Sequence, residues 1–201
     1  TSFAYTSIDV NNANYLWEKN IIRHWPDTTE NYTLDDMVTR VQVISMALNM
    51  ANISENGTCR GDFPDIDMTK SYADWICRTM ESAADHGIIN GQTNISRSLR
   101  KVRPYSRATR AETLGIFMNA FPVNISYIWY SYYLNTNFPI VGLNRGYTTA
   151  YNFSAPWQAS VFYDYTRVVL KDDNALRVDP RVNEFVRHRE ANEFAVHILQ
   201  N

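Results

Sequence analysis

The 201-residue sequence is sparing in the features that usually fix a protein's class at once. It holds only 7 glycines and 7 prolines, too few for a collagen-like or low-complexity chain. Its 19 basic and 21 acidic residues leave a formal charge of −2, so no global basic field marks it for nucleic acid. No uninterrupted apolar run approaches the ~20 residues that cross a bilayer, and no basic segment followed by an apolar one stands at its start. Nor is there a G-x-S-x-G, an H-E-x-x-H, a glycine-rich phosphate loop or a cysteine–histidine signature, and the four histidines, His24, His86, His188 and His197, are scattered. Glu193 and His197 lie one helical turn apart, but two residues on an amphipathic helix read as a surface pair before they read as a metal site. The expectation is a non-enzymatic chain without a cofactor or a metal.

Lysine is scarce as well. Only Lys19, Lys70, Lys101 and Lys171 are lysine, so 15 of the 19 basic residues are arginine, alongside 5 tryptophans and 13 tyrosines. These planar groups suit stacking and two-pronged contacts with carboxylates. A 45% apolar content is enough for a real core. Cys59 and Cys77 fit no metal-ligand spacing, and the sequence leaves open whether they are bonded or free. Six Asn-x-Ser/Thr sequons, at Asn31, Asn52, Asn56, Asn94, Asn124 and Asn152, permit glycosylation without requiring it.

Self-comparison yields an internal repeat. In the middle of the chain, Trp75, Met80 and Ala83 lie on one helical stripe and Gly87 stands at its stop, which predicts a helix over 74–86. A second amphipathic helix follows, opened by Thr109 and Arg110 and carrying Leu114, Phe117, Met118 and Phe121. Thr109 with Glu112 three residues on spells a capping box. Upstream, Ile8, Ala13, Leu16 and Asn20 match the first helix, while Thr39-Arg40, Ile44, Ala47, Leu48 and Ala51 match the second. Downstream, Trp157, Phe162, Tyr165 and Val169 match the first, and Arg187, Ala191, Phe194, Ala195 and Ile198 the second. Three helix-loop-helix units over 1–55, 56–122 and 123–201 thus form one domain, each with an arginine (Arg40, Arg110, Arg187) at the start of its second helix. The third unit includes an aromatic insertion over 123–156, expected to be a hairpin or an irregular flap packed on the rest.

The middle unit strings together Phe63-Pro64-Asp65, Trp75, Gly87-Ile88-Ile89-Asn90-Gly91, Arg103-Pro104 and Thr109-Arg110-Ala111-Glu112. In this order the landmarks resemble an S-layer homology repeat, whose pattern runs F-x-D, W-A, G-I-I-x-G, F-x-P and I-T-R-A-E. The outer units depart from it: Gln42 replaces the glutamate, Leu34 the proline and Asn20 the first glycine in unit one. Unit three aligned on Arg187 has Val186 and Arg189 where threonine and glutamate belong. The resemblance implies an all-α, pseudo-threefold fold in which a central three-helix bundle carries three prongs with grooves between them. It further implies a secreted, non-catalytic module at the bacterial cell envelope, fused to or assembled with S-layer protein. Its partner would be an anionic, commonly pyruvylated, secondary cell-wall polysaccharide. A structural assembly module with vestigial grooves is the competing reading.

The residues suit that chemistry. A guanidinium at a helix N-terminus joins a planar fork to the positive end of the helix dipole, a fitting site for a ketal carboxylate. Arg110 is the first candidate, with Arg40, Arg187 and the adjacent Thr109. Its alternative role is to pair with a carboxylate of a neighbouring repeat. Trp75 and Trp157 offer ring faces for a sugar or for the core. Gly87 is read as backbone geometry, whereas Gly91 also allows close approach of a ligand. Arg97, Arg100, Lys101, Arg103, Arg107 and Arg110 form a basic run that is either an anionic-polymer surface or a solvated loop face. The tripeptide Arg60-Gly61-Asp62 is too short a match to carry a function.

Overall fold

The structure is a computed structural model, and it describes residues 5–23, 33–55, 57–89, 101–121, 165, 169, 171 and 184–200. Five helices lie among these residues: α1 Ser7–Glu18, α2 Arg40–Met50, α3 Ala73–Asp85, α4 Arg110–Ala120 and α5 His188–Gln200. No extended strand occurs among the described residues, only three isolated bridges, so the described part is all-α. None of these helices is long and apolar enough to cross a membrane.

Local chemistry explains where the helices begin and end. Thr6 and Asp9 close a capping box on α1, with Asp9 N–H donating to Thr6 Oγ1 at 3.2 Å and Thr6 N–H to Asp9 Oδ2 at 3.0 Å. Thr109 and Glu112 do the same on α4. At the other ends the chain turns through positive φ at Asn20 (58°), Asn52 (54°) and Gly87 (71°), just past α1, α2 and α3. In each case the next residue's N–H reaches five residues back, Ile21 to the Leu16 carbonyl, Ile53 to Leu48 and Ile88 to Ala83. These closures satisfy carbonyls that the helix ends would otherwise orphan. No atom lies within 4 Å of where a Gly87 Cβ would stand, so that glycine serves conformation rather than space.

α2, α4 and α5 touch one another, while α1 packs on α5 and α3 on α2. Among the described residues, the first helices of units one and two therefore lean on the second helix of another unit. Val43, Ile44, Ala47 and Leu48 of α2, Leu114 and Phe117 of α4, and Ala191 and Ala195 of α5 are fully buried where the three meet. Burial of these chains is the main source of stability.

The three segments leading into α2, α4 and α5 join in a closed ring. Thr39 bridges Arg107, Thr109 bridges Phe185, and Arg187 bridges Met37. At the centre, Ala108 N–H donates to the Val38 carbonyl, Val186 N–H to Ala108 and Val38 N–H to Val186, at 3.0, 3.0 and 3.1 Å. One step further along, Arg40, Arg110 and His188 N–H donate to the carbonyls of Ser106, Glu184 and Asp36, each at 2.9 Å. Val38, Ala108 and Val186 are fully buried, so their amides need these partners, and the ring supplies one to each.

Candidate functional site

The ring fixes which residues of the three units correspond. Thr39, Thr109 and Arg187 each occupy the bridging position before a helix, and Arg40, Arg110 and His188 each open the helix itself. Arg187 is thus the counterpart of the threonines, one residue earlier than expected, and His188 takes the place of Arg40 and Arg110. The glutamate expected to be missing from unit three is then present as Glu190, which stands where Gln42 and Glu112 stand. Glu190 Oε2 accepts the Arg187 N–H at 3.0 Å, as Gln42 and Glu112 accept from Thr39 and Thr109.

This register shows how the arginines are used. Arg40 Nη1 lies 3.1 Å from Glu112 Oε1 and its Nε donates to the Val102 carbonyl at 3.0 Å. Arg110 pairs with Glu190 through Nη1 and lies with Cζ 4.9 Å from the Phe194 ring centroid. Its side chain is 8% exposed. Each arginine therefore joins the capping carboxylate of the next unit, so one glutamate both caps its own helix and receives a cation from a neighbour. At the third position both charges are absent together, with Gln42 as the cap acceptor and buried His188 as the helix opener. Burial holds the His188 imidazole neutral, its pKa lowered to about 3 despite the opposing pull of Asp36.

Arg187 differs from these two. Its Nη1 donates to the Asp35 carbonyl, and it lines an open groove of about 830 Å³. One wall is the start of α1, with Thr6, Ile8 and Asp9; the other is Glu184, Phe185, Arg189, Glu190 and Glu193. Arg189 Nε lies 3.4 Å from Asp35 Oδ1. Ile8 is 65% exposed and Phe185 48%, so the groove offers apolar as well as charged surface.

Of the remaining candidates, Thr109 caps α4 and bridges Phe185. Trp75 is half-buried and packs on the core, with its carbonyl accepting from Thr79 Oγ1. Gly91, Trp157 and the insertion over 123–156 lie outside the described residues. So do Arg97 and Arg100. Of the rest of the basic run, Arg110 is buried, whereas Lys101, Arg103 and Arg107 are exposed, Arg107 lying 5.9 Å over the Phe185 ring.

Asn49 and Asn119, which the motif does not single out, each sit nine residues past the helix-opening arginine. Asn49 Nδ2 donates to the Ile21 carbonyl at 3.0 Å and Asn119 Nδ2 to that of Ile88 at 3.2 Å. His197 holds the same place on α5, with Nδ1 2.7 Å from Tyr165 Oη. A polar residue recurring at that one spacing was the signal available in the sequence.

Away from the ring, Cys59 and Cys77 form a disulfide. Beside it the buried Glu81 carboxylate accepts from the backbone N–H groups of Arg60 and Asp62, at 2.9 Å each for the shorter contacts. Arg60 pairs in turn with Asp62 and Asp85, so the Arg60-Gly61-Asp62 tripeptide is folded into its own hydrogen-bonded clamp. Cys59, Cys77 and Glu81 bring their ligand atoms within 4.8 Å of one another, but the two sulfurs are bonded to each other.

Comparison with known proteins returns neither a matching family model nor a matching curated relative.

Proposed function

We propose that the chain is a non-catalytic anchor of three S-layer homology repeats in a pseudo-threefold arrangement, binding an acidic envelope glycan and tethering an exported protein to the bacterial surface. The observation that carries the reading is the closed ring. Three segments at matching places in the three units exchange matching backbone hydrogen bonds, and a groove with two arginines opens beside one of them. The ordered motif of the middle unit adds to this. The disulfide fits an oxidising compartment.

In this reading the arginines divide their labour. Arg40 and Arg110 lock the units to one another, and Arg187 and Arg189 meet the glycan. Sedimentation with purified sacculi bearing a pyruvylated secondary polysaccharide is the test. The chain is expected to pellet with the sacculi, and the Arg187→Ala/Arg189→Ala double variant, shown folded by circular dichroism, to pellet at least tenfold less. A wild-type chain that stays in the supernatant would overturn the proposal.

A second reading, an assembly module without glycan binding, has one specific observation in its favour: Arg40 and Arg110 are both engaged by glutamates of neighbouring units. It predicts concentration-dependent self-association by analytical ultracentrifugation and no pelleting with sacculi.

A further inference from the structure

The charge of the open groove does not match a purely anionic ligand. Its lining carries two guanidiniums, Arg187 and Arg189, and four carboxylates, Asp9, Glu184, Glu190 and Glu193. Arg189 pairs with the Asp35 carboxylate, whereas Arg187 donates to the neutral Asp35 carbonyl and contributes one positive charge against the carboxylates. Two of the carboxylates belong to the fold, since Asp9 caps α1 and Glu190 caps α5 while pairing with Arg110. Glu184 and Glu193 are exposed on the groove wall, and neither has an ion-pair partner among the described residues. The unspent charge of the groove is therefore negative, and it stands beside the exposed apolar surface of Ile8 and Phe185.

We propose that this groove recognises a primary ammonium group carried on a sugar ring, that is, an amino sugar whose nitrogen is not acetylated. The inference rests on the envelope-glycan reading and narrows it. Glu184 and Glu193 take the ammonium through charge-assisted hydrogen bonds. Phe185 and Ile8 take the C–H face of the ring, the usual division of a sugar between apolar and polar contacts. The remaining N–H groups of Arg187 and Arg189 stay available for an acidic substituent on the same polymer. A volume of about 830 Å³ lies within the ~300–1,000 Å³ typical of small-ligand sites. An N-acetylated sugar offers these carboxylates only neutral N–H and O–H donors, which make weaker hydrogen bonds than an ammonium.

The test uses the intact chain at low ionic strength, titrated calorimetrically with a glucosamine tetramer, an N-acetylglucosamine tetramer and tetralysine. The glucosamine tetramer is expected to bind at least tenfold more tightly than the other two. Glu184→Gln/Glu193→Gln should weaken it at least tenfold, whereas Glu18→Gln, which removes an exposed carboxylate at the far end of α1, should leave it unchanged. Equal binding of both sugar tetramers, equal binding of tetralysine, or no binding of the glucosamine tetramer would overturn the inference. Sacculi treated with acetic anhydride, which converts free amines to neutral amides, separate this idea from the one beneath it. Pelleting with native but not acetylated sacculi is the expected result. Pelleting with both refutes the ammonium and leaves the anchor standing; glucosamine binding without any pelleting refutes the anchor and leaves the ammonium site.

Discussion

Asn192 offers the sharpest test of how the bundle is held together. It lies on α5 four residues past the helix opener, where α2 has Ile44 and α4 has Leu114, and all three are fully buried. Among the described residues, neither Oδ1 nor Nδ2 of Asn192 has a hydrogen-bond partner. A buried amide without partners costs about 1–3 kcal/mol on the scale of protein mutations. Asn192→Leu keeps the branching at Cγ, replaces both orphaned atoms by methyl groups and reproduces the residue found on α4. Leucine is the larger side chain, so some of the gain goes into repacking, which costs about 1–3 kcal/mol where a core is already full. Leu114 already fills the corresponding place on α4, so relief of the amide should dominate. The expected net gain is about 1–2 kcal/mol, or roughly 2–8 °C in Tm for a chain of this size. Urea denaturation with the disulfide intact measures it. The converse Ile44→Asn should lose at least about 3 kcal/mol, because it removes apolar burial and adds a second orphaned amide. An Asn192→Leu variant less stable than the parent by more than about 1 kcal/mol would refute the reasoning, since the amide would then have to be making interactions worth keeping.

Three further outcomes follow from the same geometry. Arg110→Met should destabilise the fold toward the lower end of the ~3–5 kcal/mol range for breaking a buried pair, because Glu190 is 22% exposed; adding Glu190→Gln, which keeps the cap, should recover most of the loss in a double-mutant cycle. Gly87→Ala should cost about 1 kcal/mol through its positive φ, and Gly87→Asn distinctly less, since Asn20 and Asn52 hold the same turn. His188 has a folded pKa lowered to about 3 against the ordinary 6.5, so its contribution is complete above pH 6.5 and declines as pH falls toward 3. In that window the unfolded chain binds a proton that the folded chain refuses, worth about 1.4 kcal/mol per pH unit. His188→Gln should flatten the acid limb of a stability–pH profile, and an unchanged limb would show that other groups govern it.

Much of this fold was legible before the structure, and what was not legible shares one physical cause. Helix ends are local events, so Thr109 with Glu112 and Gly87 after α3 could be read from the few residues around them. The place of Arg187 could not. α2 and α4 are buried at offsets 1, 3, 4, 6, 7, 8 and 10 from their opening arginines, nearly all the way round, and a helix apolar on every side tolerates a one-residue slip in alignment. Arg187 and His188 therefore both gave a plausible stripe. The backbone ring, made of contacts between segments about 70 residues or more apart, separates them, together with the local cap of Glu190 on the Arg187 N–H. The partners of Arg40 and Arg110 were hidden for the same reason, since Arg110 and Glu190 are 80 residues apart.

The corrected register also bears on why these arginines are there. If Arg40 and Arg110 stood at their helix starts for a glycan alone, the residue at the third start would be free to vary without regard to the capping residue of unit one. Instead the two vary together. Two positions keep an arginine facing a glutamate, Arg40 with Glu112 and Arg110 with Glu190. The third has His188, held neutral by burial, in the register that faces Gln42, and Gln42 still caps its helix without a charge. An arginine at 188 would bury a cation with only the pull of Asp36 to offset its desolvation, which is more costly than a neutral ring. A glutamate at 42 would be the mirror error. Matched loss of both charges is what a lock between units requires.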